Sequence, residues 1–314
     1  MNKILYFLLF SYFAFSLPKH VEKNISDITN PTLEEYQAID FYLRHERFFL
    51  NELKNHDPER LSHFLKFQLL GKNNEMPIFE KHSFNITETS KNRCLILFAS
   101  RNGQYEKRAR ELLKEIKDSE YSGHVLLRIG GFPNIERGGL KLSHIPYAFK
   151  VSMFREAQAL NYHEVVWMDL NLHPLTHLEM IFSEVKRKGY FLLKISSLQE
   201  NILKHQKKAA MSIGAKIENF PYIDHISSAI IGIDMTHQTA PELLELWENY
   251  TQNIHTSVTW HPDDLCLSVA AWDLQYQPFS WFGTLICSKD EIDWLPQERP
   301  TIQVFSERIR EEKE

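Results

Sequence analysis

Between Arg93 and about Trp272 the chain alternates short, unbroken apolar runs with longer stretches whose apolar residues recur every three or four positions. The first kind reads as strands buried on both faces and the second as helices lying against them. Cys94–Phe98, Val125–Ile129, Val165–Met168, Tyr190–Ile195 and Ser227–Ile233 are the predicted strands. Tyr105, Ala109, Leu112, Leu113 and Ile116 mark a helix after the first of them. Phe149, Met153, Ala157 and Leu160 form one stripe of a second helix, and further helices are predicted over Leu175–Arg187, Leu203–Ile213, Pro241–Tyr250 and from Pro262 onward. Strand and helix in alternation predict an α/β domain with a mostly parallel sheet. Gly130-Gly131 and Gly138-Gly139 bracket a loop containing Arg137, and no internal repeat or low-complexity segment occurs.

The N-terminal part follows another pattern. Asn2-Lys3 precedes an apolar run ending in Ala14-Phe15-Ser16. The run is short for a membrane span, with small residues where a signal peptidase reads, so residues 1–16 are expected to be a secretory signal peptide. An uncleaved anchor is the alternative. Thr32 with Glu35 suits a helix cap, and Leu33, Tyr36, Ile39, Tyr42 and Leu43 run on as a stripe toward Leu53. A second helix is predicted from Pro58 to about Gly71, and Lys72 to Ser90 reads as a polar connection. The organisation expected is therefore a signal at 1–16, a helical region and linker at 17–90, and the α/β domain at 91–314. His45, His56 and His63 share no ligand spacing and read as solvated helix residues.

Composition narrows the function classes. A hydrophobic fraction of 43%, a charged fraction of 25% and a net charge of −5 in 314 residues describe an ordinary globular chain. Its Lys and Arg residues are dispersed, so no nucleic-acid partner is expected. Of the three cysteines, Cys94 and Cys266 lie inside apolar patterns and read as buried thiols. The sequons at Asn24, Asn85 and Asn249 matter only in a eukaryotic secretory route.

The chemistry concentrates at Asp169, which ends the third predicted strand. Ligands of open parallel sheets bind outside the carboxyl ends of the strands, so a carboxylate there is expected to face a binding crevice. Asn171 follows two residues later and shares its side if the chain stays extended. A carboxylate and a carboxamide oxygen suit a hard cation such as Mg²⁺ or Mn²⁺, completed by water and substrate phosphates. Asp169 capping the next helix is the plain alternative. Lys150, at the start of the helix feeding this strand, suits an anion such as phosphate if that helix start faces the crevice, and is otherwise a solvated lysine. Ser100 and Arg101 follow the first strand, where a nucleotide packs in doubly wound folds, although no GxGxxG is present. Asp263 and Asp264 begin the last helix, either as dipole partners or as a base and acceptor-orienting group, and His261 offers a nitrogen to a metal. GxSxG, HExxH and P-loop signatures are absent from the sequence.

The run from Tyr147 to Leu175, YAFKVSMFREAQALNYHEVVWMDLNLHPL, resembles a family of glycosyltransferase-like proteins with the GT-A, or nucleotide-diphospho-sugar transferase, fold. That family has an F-K-P element opening a helix and a V-L-W-L-D-S-S-type strand end that stands where many GT-A enzymes carry a D-x-D metal motif. Ser227-Ser-Ala-Ile-Ile-Gly-Ile-Asp234 with Leu243 to Trp247 looks like its G-F-D…L-L-x-x-W block, and His261-Pro-Asp-Asp-Leu-Cys-Leu-Ser268 like its H-D-Q-x-x-x-S block. The resemblance covers about Arg93 to Phe282. Three departures stand out: the D-x-D site reads Asp169-Leu-Asn171, Val151 replaces the proline after the lysine, and Pro262-Asp263-Asp264 replaces H-D-Q.

The resemblance implies a Rossmann-like GT-A sheet flanked by helices, with the N-terminal helices as an extension. It implies transfer of a sugar from a nucleotide-diphosphate donor to a hydroxyl of a glycan, protein or lipid. Asp169 and Asn171 would hold a divalent ion or the donor's ribose and phosphate, Lys150 its diphosphate, and Asp263 or Asp264 the sugar or acceptor. Loss of one acid from the D-x-D element puts dependence on Mn²⁺ or Mg²⁺ in question. Two other readings compete: a carbohydrate- or nucleotide-binding protein that keeps the fold without activity, and a secreted glycoside hydrolase pairing Asp169 with Asp263 or Asp264, which needs roughly 5 to 9.5 Å between carboxyl groups.

Overall fold

The computed structural model describes residues 32, 75–101, 103–133, 147–174, 178–202, 204–253, 256, 261–280, 284–288 and 302–306. The signal segment, the two N-terminal helices and the loop around Arg137 lie outside these residues.

A seven-stranded sheet in the order β1-β3-β2-β4-β7-β6-β8 forms the centre. Its strands are β1 (Ile78–Phe84), β2 (Arg93–Ala99), β3 (Gly123–Ile129), β4 (Glu164–Met168), β6 (Tyr190–Ser197), β7 (Asp224–Asp234) and β8 (Phe279–Ser280). The pairings make β2, β3, β4, β6 and β8 co-directional, while β1 and β7 run the other way. The sheet is thus mostly parallel, as the alternating pattern predicts. A smaller sheet joins β5 (Leu172–Pro174), β10 (Ile302–Ser306) and β9 (Thr284–Ser288) in that order.

Helices cover both faces. Side chains alternate along β4, so Val165 and Trp167 join one core and Val166 and Met168 the other. The first core is closed by α2 (Phe149–Ala159), α6 (Ala240–Gln252) and α7 (Pro262–Asp273), and centres on Phe154, Trp167 and Trp247. The second is closed by α1 (Gly103–Asp118) and α3 (Glu179–Lys188) through Leu112, Ile116, Phe182 and Val185. Short α4 (Leu198–Asn201) and α5 (Lys204–Ser212) pack a third, smaller cluster with Phe220 and Val269. Cys94 and Cys266 are buried and free, as expected. Among the described residues no helix is long and apolar enough to cross a membrane.

Two expectations change. The stretch read as a polar connection carries β1, paired antiparallel with β3 along its whole length. Its half-buried positions are Ile78, Glu80, His82 and Phe84. Glu80 and His82 sit on that face because Glu80 bonds both His82 and Arg110 of α1, and these polar residues break the apolar alternation that would have revealed a strand. The predicted single stripe of α2 is also too narrow. Lys150, Val151, Ser152, Phe154 and Glu156 are buried along with Phe149, Met153 and Ala157, whereas Leu160 is exposed. The helix is wedged between the sheet and α6, where Phe154 meets Trp247, so it has little free face.

Candidate functional site

Four segments meet where β4 ends. Asp169 follows the last residue of β4, Ser228 lies on β7 just before the Met168↔Ile230 pair, and α2 and α7 bring their first turns to the same place. The backbone N–H of Asp169 bonds the Ala229 carbonyl at 2.8 Å, which fixes the strand end against β7.

At the centre stands Lys150, whose side chain is only 3% exposed. Its Nζ lies 3.1 Å from Asp169 Oδ1 and 2.8 Å from Asp263 Oδ2. It also donates to the Ser228 carbonyl at 3.0 Å and to Ser228 Oγ at 2.9 Å. Ser228 Oγ in turn donates to Asp263 Oδ2 at 2.6 Å, and the Ser228 backbone N–H donates to Asp264 Oδ1 at 2.8 Å. The indole of Trp167 donates to Asp169 Oδ1 at 2.6 Å, and its ring lies 5.4 Å from the ammonium. One ammonium and one serine therefore tie together three carboxylates drawn from two distant parts of the chain.

The charges shift one another. Burial alone pulls the Lys150 pKa down, but Asp169, Asp263 and Asp264 outweigh it and hold the ammonium above its ordinary value. Burial likewise pushes Asp263 up, yet the Lys150 charge and the hydrogen bonds from Lys150 and Ser228 bring it below the usual carboxylate value. Asp169 and Asp264 end above theirs, chiefly through burial and with Asp263 adding to the effect. Burial and then His261 lower His225, whose Nε2 lies 4.0 Å from Asp264 Oδ2.

Backbone strain gathers here too. Tyr147, just ahead of α2, has φ 63°, and His261, ahead of α7, has φ 49°. Neither is glycine, and residues held in the left-handed region at a cost cluster at functional sites. Their rings face each other at 6.0 Å. Burial, with Asp263 adding, raises the Tyr147 phenol to about 12.

The other expected residues are placed differently. Past β4 the chain does not stay extended: Leu172 N–H bonds the Asp169 carbonyl at 3.1 Å, closing a turn through Leu170 and Asn171. Alternation along a strand therefore does not put Asn171 on the side of Asp169. Arg101 turns toward β1, with Glu75 at 2.8 Å, the Met76 carbonyl at 3.1 Å and Glu106 at 3.7 Å. Its buried Nε and Nη1 have no hydrogen-bond partner among the described residues. Ser100, half-buried, sits beside it at the end of β2.

The expected divalent ion does not fit this arrangement. Between Asp169 and Asp263 the ammonium already occupies the place of a cation. One oxygen of each acid is taken up, Asp169 Oδ1 by Trp167 and Lys150, Asp263 Oδ2 by Lys150 and Ser228, and Asp264 Oδ1 by Ser228, while the buried Asp263 Oδ1 has no hydrogen-bond partner among the described residues. Among the described residues no three His, Cys, Asp or Glu side chains are grouped to hold a metal. The same ammonium stands between Asp169 and Asp263, so that pair leaves no gap for a glycosidic oxygen. Lys150, with four acceptors around its three N–H groups, is also spoken for as a phosphate donor.

Sequence reasoning missed four contributors. Ser228 bridges the carboxylates, and its trace is a pair of serines inside an apolar strand. Trp167 orients Asp169. His225 adjoins Asp264. Arg108 of α1, 7% exposed, holds the turn after Asp169 by donating to the Leu170 carbonyl at 2.7 Å and the Leu172 carbonyl at 3.0 Å. Glu115 backs it at 2.9 Å and bonds His173 as well. A buried arginine in a helical stripe was the available signal.

No protein-family model and no curated protein sequence matches the chain. Among solved structures, the galactosyltransferase LgtC in complex with donor and acceptor sugar analogues is similar at a TM-score of 0.42 and 8% identity, covering 68% of this chain and 86% of that one.

Proposed function

We propose that this chain is a GT-A-like glycosyltransferase that moves a sugar from a nucleotide-diphosphate donor to a hydroxyl acceptor. The observation that carries the reading is the meeting of Lys150, Asp169, Asp263 and Asp264 at the carboxyl end of β4. Those residues come from the blocks that resemble the family, and the carboxyl edge is where ligands of such sheets bind.

The division of labour follows from the charges. The cluster offers carboxylate oxygens, which accept hydrogen bonds from sugar hydroxyls, and Asp169 and Asp264 are its more accessible members, 29% and 19% exposed. We assign the diphosphate to Arg101 and Ser100, one strand away at the end of β2, where the buried guanidinium Nε has no hydrogen-bond partner among the described residues. In the transfer the C1–O bond of the donor breaks and its electron pair leaves on the diphosphate. The acceptor oxygen bonds C1, and its proton passes to Asp264, whose raised pKa makes it the better base of the α7 pair. Lys150 and Ser228 hold the acids in place through the step, so little reorganisation accompanies the charge shift.

The test is thermal shift and calorimetry of the full chain with UDP- and GDP-sugars, since a ligand that binds only the folded state raises the midpoint. Binding is expected, lost in Asp169→Asn and accompanied by slow release of free nucleotide. Binding without any nucleotide release would leave a sugar-nucleotide receptor instead, and no binding would end the proposal.

A further inference from the structure

We infer that Lys150 is a resident cation standing in for a divalent metal, so that this site takes its ligand without a metal ion. The inference concerns the site of the proposed transferase, and its first test stands whether or not that reading holds.

The argument starts from the coordination about Nζ. An ammonium with two carboxylate oxygens at 3.1 and 2.8 Å and two serine oxygens at 3.0 and 2.9 Å has the all-oxygen surroundings that suit a hard cation. A lysine so placed supplies one positive charge that needs no free ion and never dissociates. It is buried on every side: Trp167 and Tyr147 have their rings 5.4 and 5.9 Å away, and Ser228, 3% exposed, closes the rest. A mobile metal would have to displace a side chain tethered at the head of α2 and break four contacts.

The alternatives in the cluster point the same way. Asn171, which would complete a metal pair with Asp169, lies in a turn rather than on an extended strand. His261 is tied to the head of α7 in the left-handed conformation, beside the Tyr147 ring. Exchanging a bound metal for a lysine keeps the acids charged and in register, and it leaves carboxylate oxygens facing a ligand as acceptors. The ligand class this selects is a polyol, which donates hydrogen bonds, rather than a metal–phosphate complex.

The experiment begins with Mn²⁺ alone. Calorimetry and water-proton relaxation of the full wild-type chain are expected to show no Mn²⁺ binding that depends on Asp169, judged against Asp169→Asn. Lys150→Ala, if circular dichroism shows it folded, vacates the cation position and is expected to bind Mn²⁺ at least tenfold more tightly than wild type. Asp169-dependent Mn²⁺ binding by the wild type would overturn the inference, as would a folded Lys150→Ala that gains none. If that variant does not fold, the wild-type measurement decides alone. Where nucleotide-sugar binding is found, its affinity should be the same with EDTA as with Mn²⁺. A tenfold loss in EDTA counts against the inference, whereas absence of nucleotide-sugar binding counts only against the transferase.

Discussion

The ammonium of Lys150, in the first turn of α2, stands 2.8 Å from the carboxylate of Asp263, in the first turn of α7, and both side chains are almost wholly buried. Lys150 is the principal counter-charge of Asp263, and Asp169 and Asp263 together face Lys150. Lys150→Met should therefore destabilise the domain by about 3–5 kcal/mol, the cost of leaving a buried charge without its partner. Urea denaturation of the variant against wild type measures it, and a loss below about 1 kcal/mol would show that the acids simply take up protons.

The same pair sets a pH dependence. Lys150 has its pKa raised above 10.5, after burial and the three carboxylates have opposed each other. A cationic group raised in the folded state contributes stability that is complete below the unfolded value and lost as pH rises through the folded one. The difference in midpoint between wild type and Lys150→Met should therefore be flat from pH 8 to about 10 and narrow only above 10.5. Thermal denaturation across pH 8–11.5 reads it. A difference that narrows already near pH 8 would contradict the sign.

Arg108 acts on the site through the backbone. Arg108→Ala removes its hydrogen bonds to Leu170 and Leu172 and leaves their carbonyls short of donors beneath the Asp169 turn. The expected cost is about 2–3 kcal/mol, with nucleotide-sugar affinity falling at least tenfold. Arg108→Lys, which reaches one carbonyl but not both, should recover stability better than affinity. If stability and affinity recover in step, the arginine serves folding alone.

Gly232 marks a close approach of α3 to the sheet. A Cβ there would meet Val185 Cγ2 at 2.3 Å and Phe191 Cβ at 3.0 Å. Gly232→Ala should cost about 1–3 kcal/mol as overpacking, and Val185→Ala in the same chain should recover most of it. Calorimetric unfolding of both variants checks this, and additive losses in the double variant would refute the contact.

The hydrophobic pattern alone determined most of the fold. Strands such as β2, buried at all seven positions, leave unbroken apolar runs, and α1 and α6 leave three-to-four spacing, because solvent exclusion acts on each segment through its own periodicity. The strand and helix ends it sets off made Asp169, Lys150, Asp263 and Asp264 candidates, each with a plain alternative open, and the family resemblance supplied their expected roles. What the pattern could not determine were facts about neighbours. β1 escaped notice because Glu80 and His82 find partners on α1, and the turn after Asp169 because Arg108 pins it from another helix. Tertiary structure also decided that Lys150 points inward among the acids and not outward to a phosphate. The ammonium's direction depends on where Asp263 and Ser228 lie, and only the packing of α7 and β7 against α2 brings those remote segments within hydrogen-bond reach.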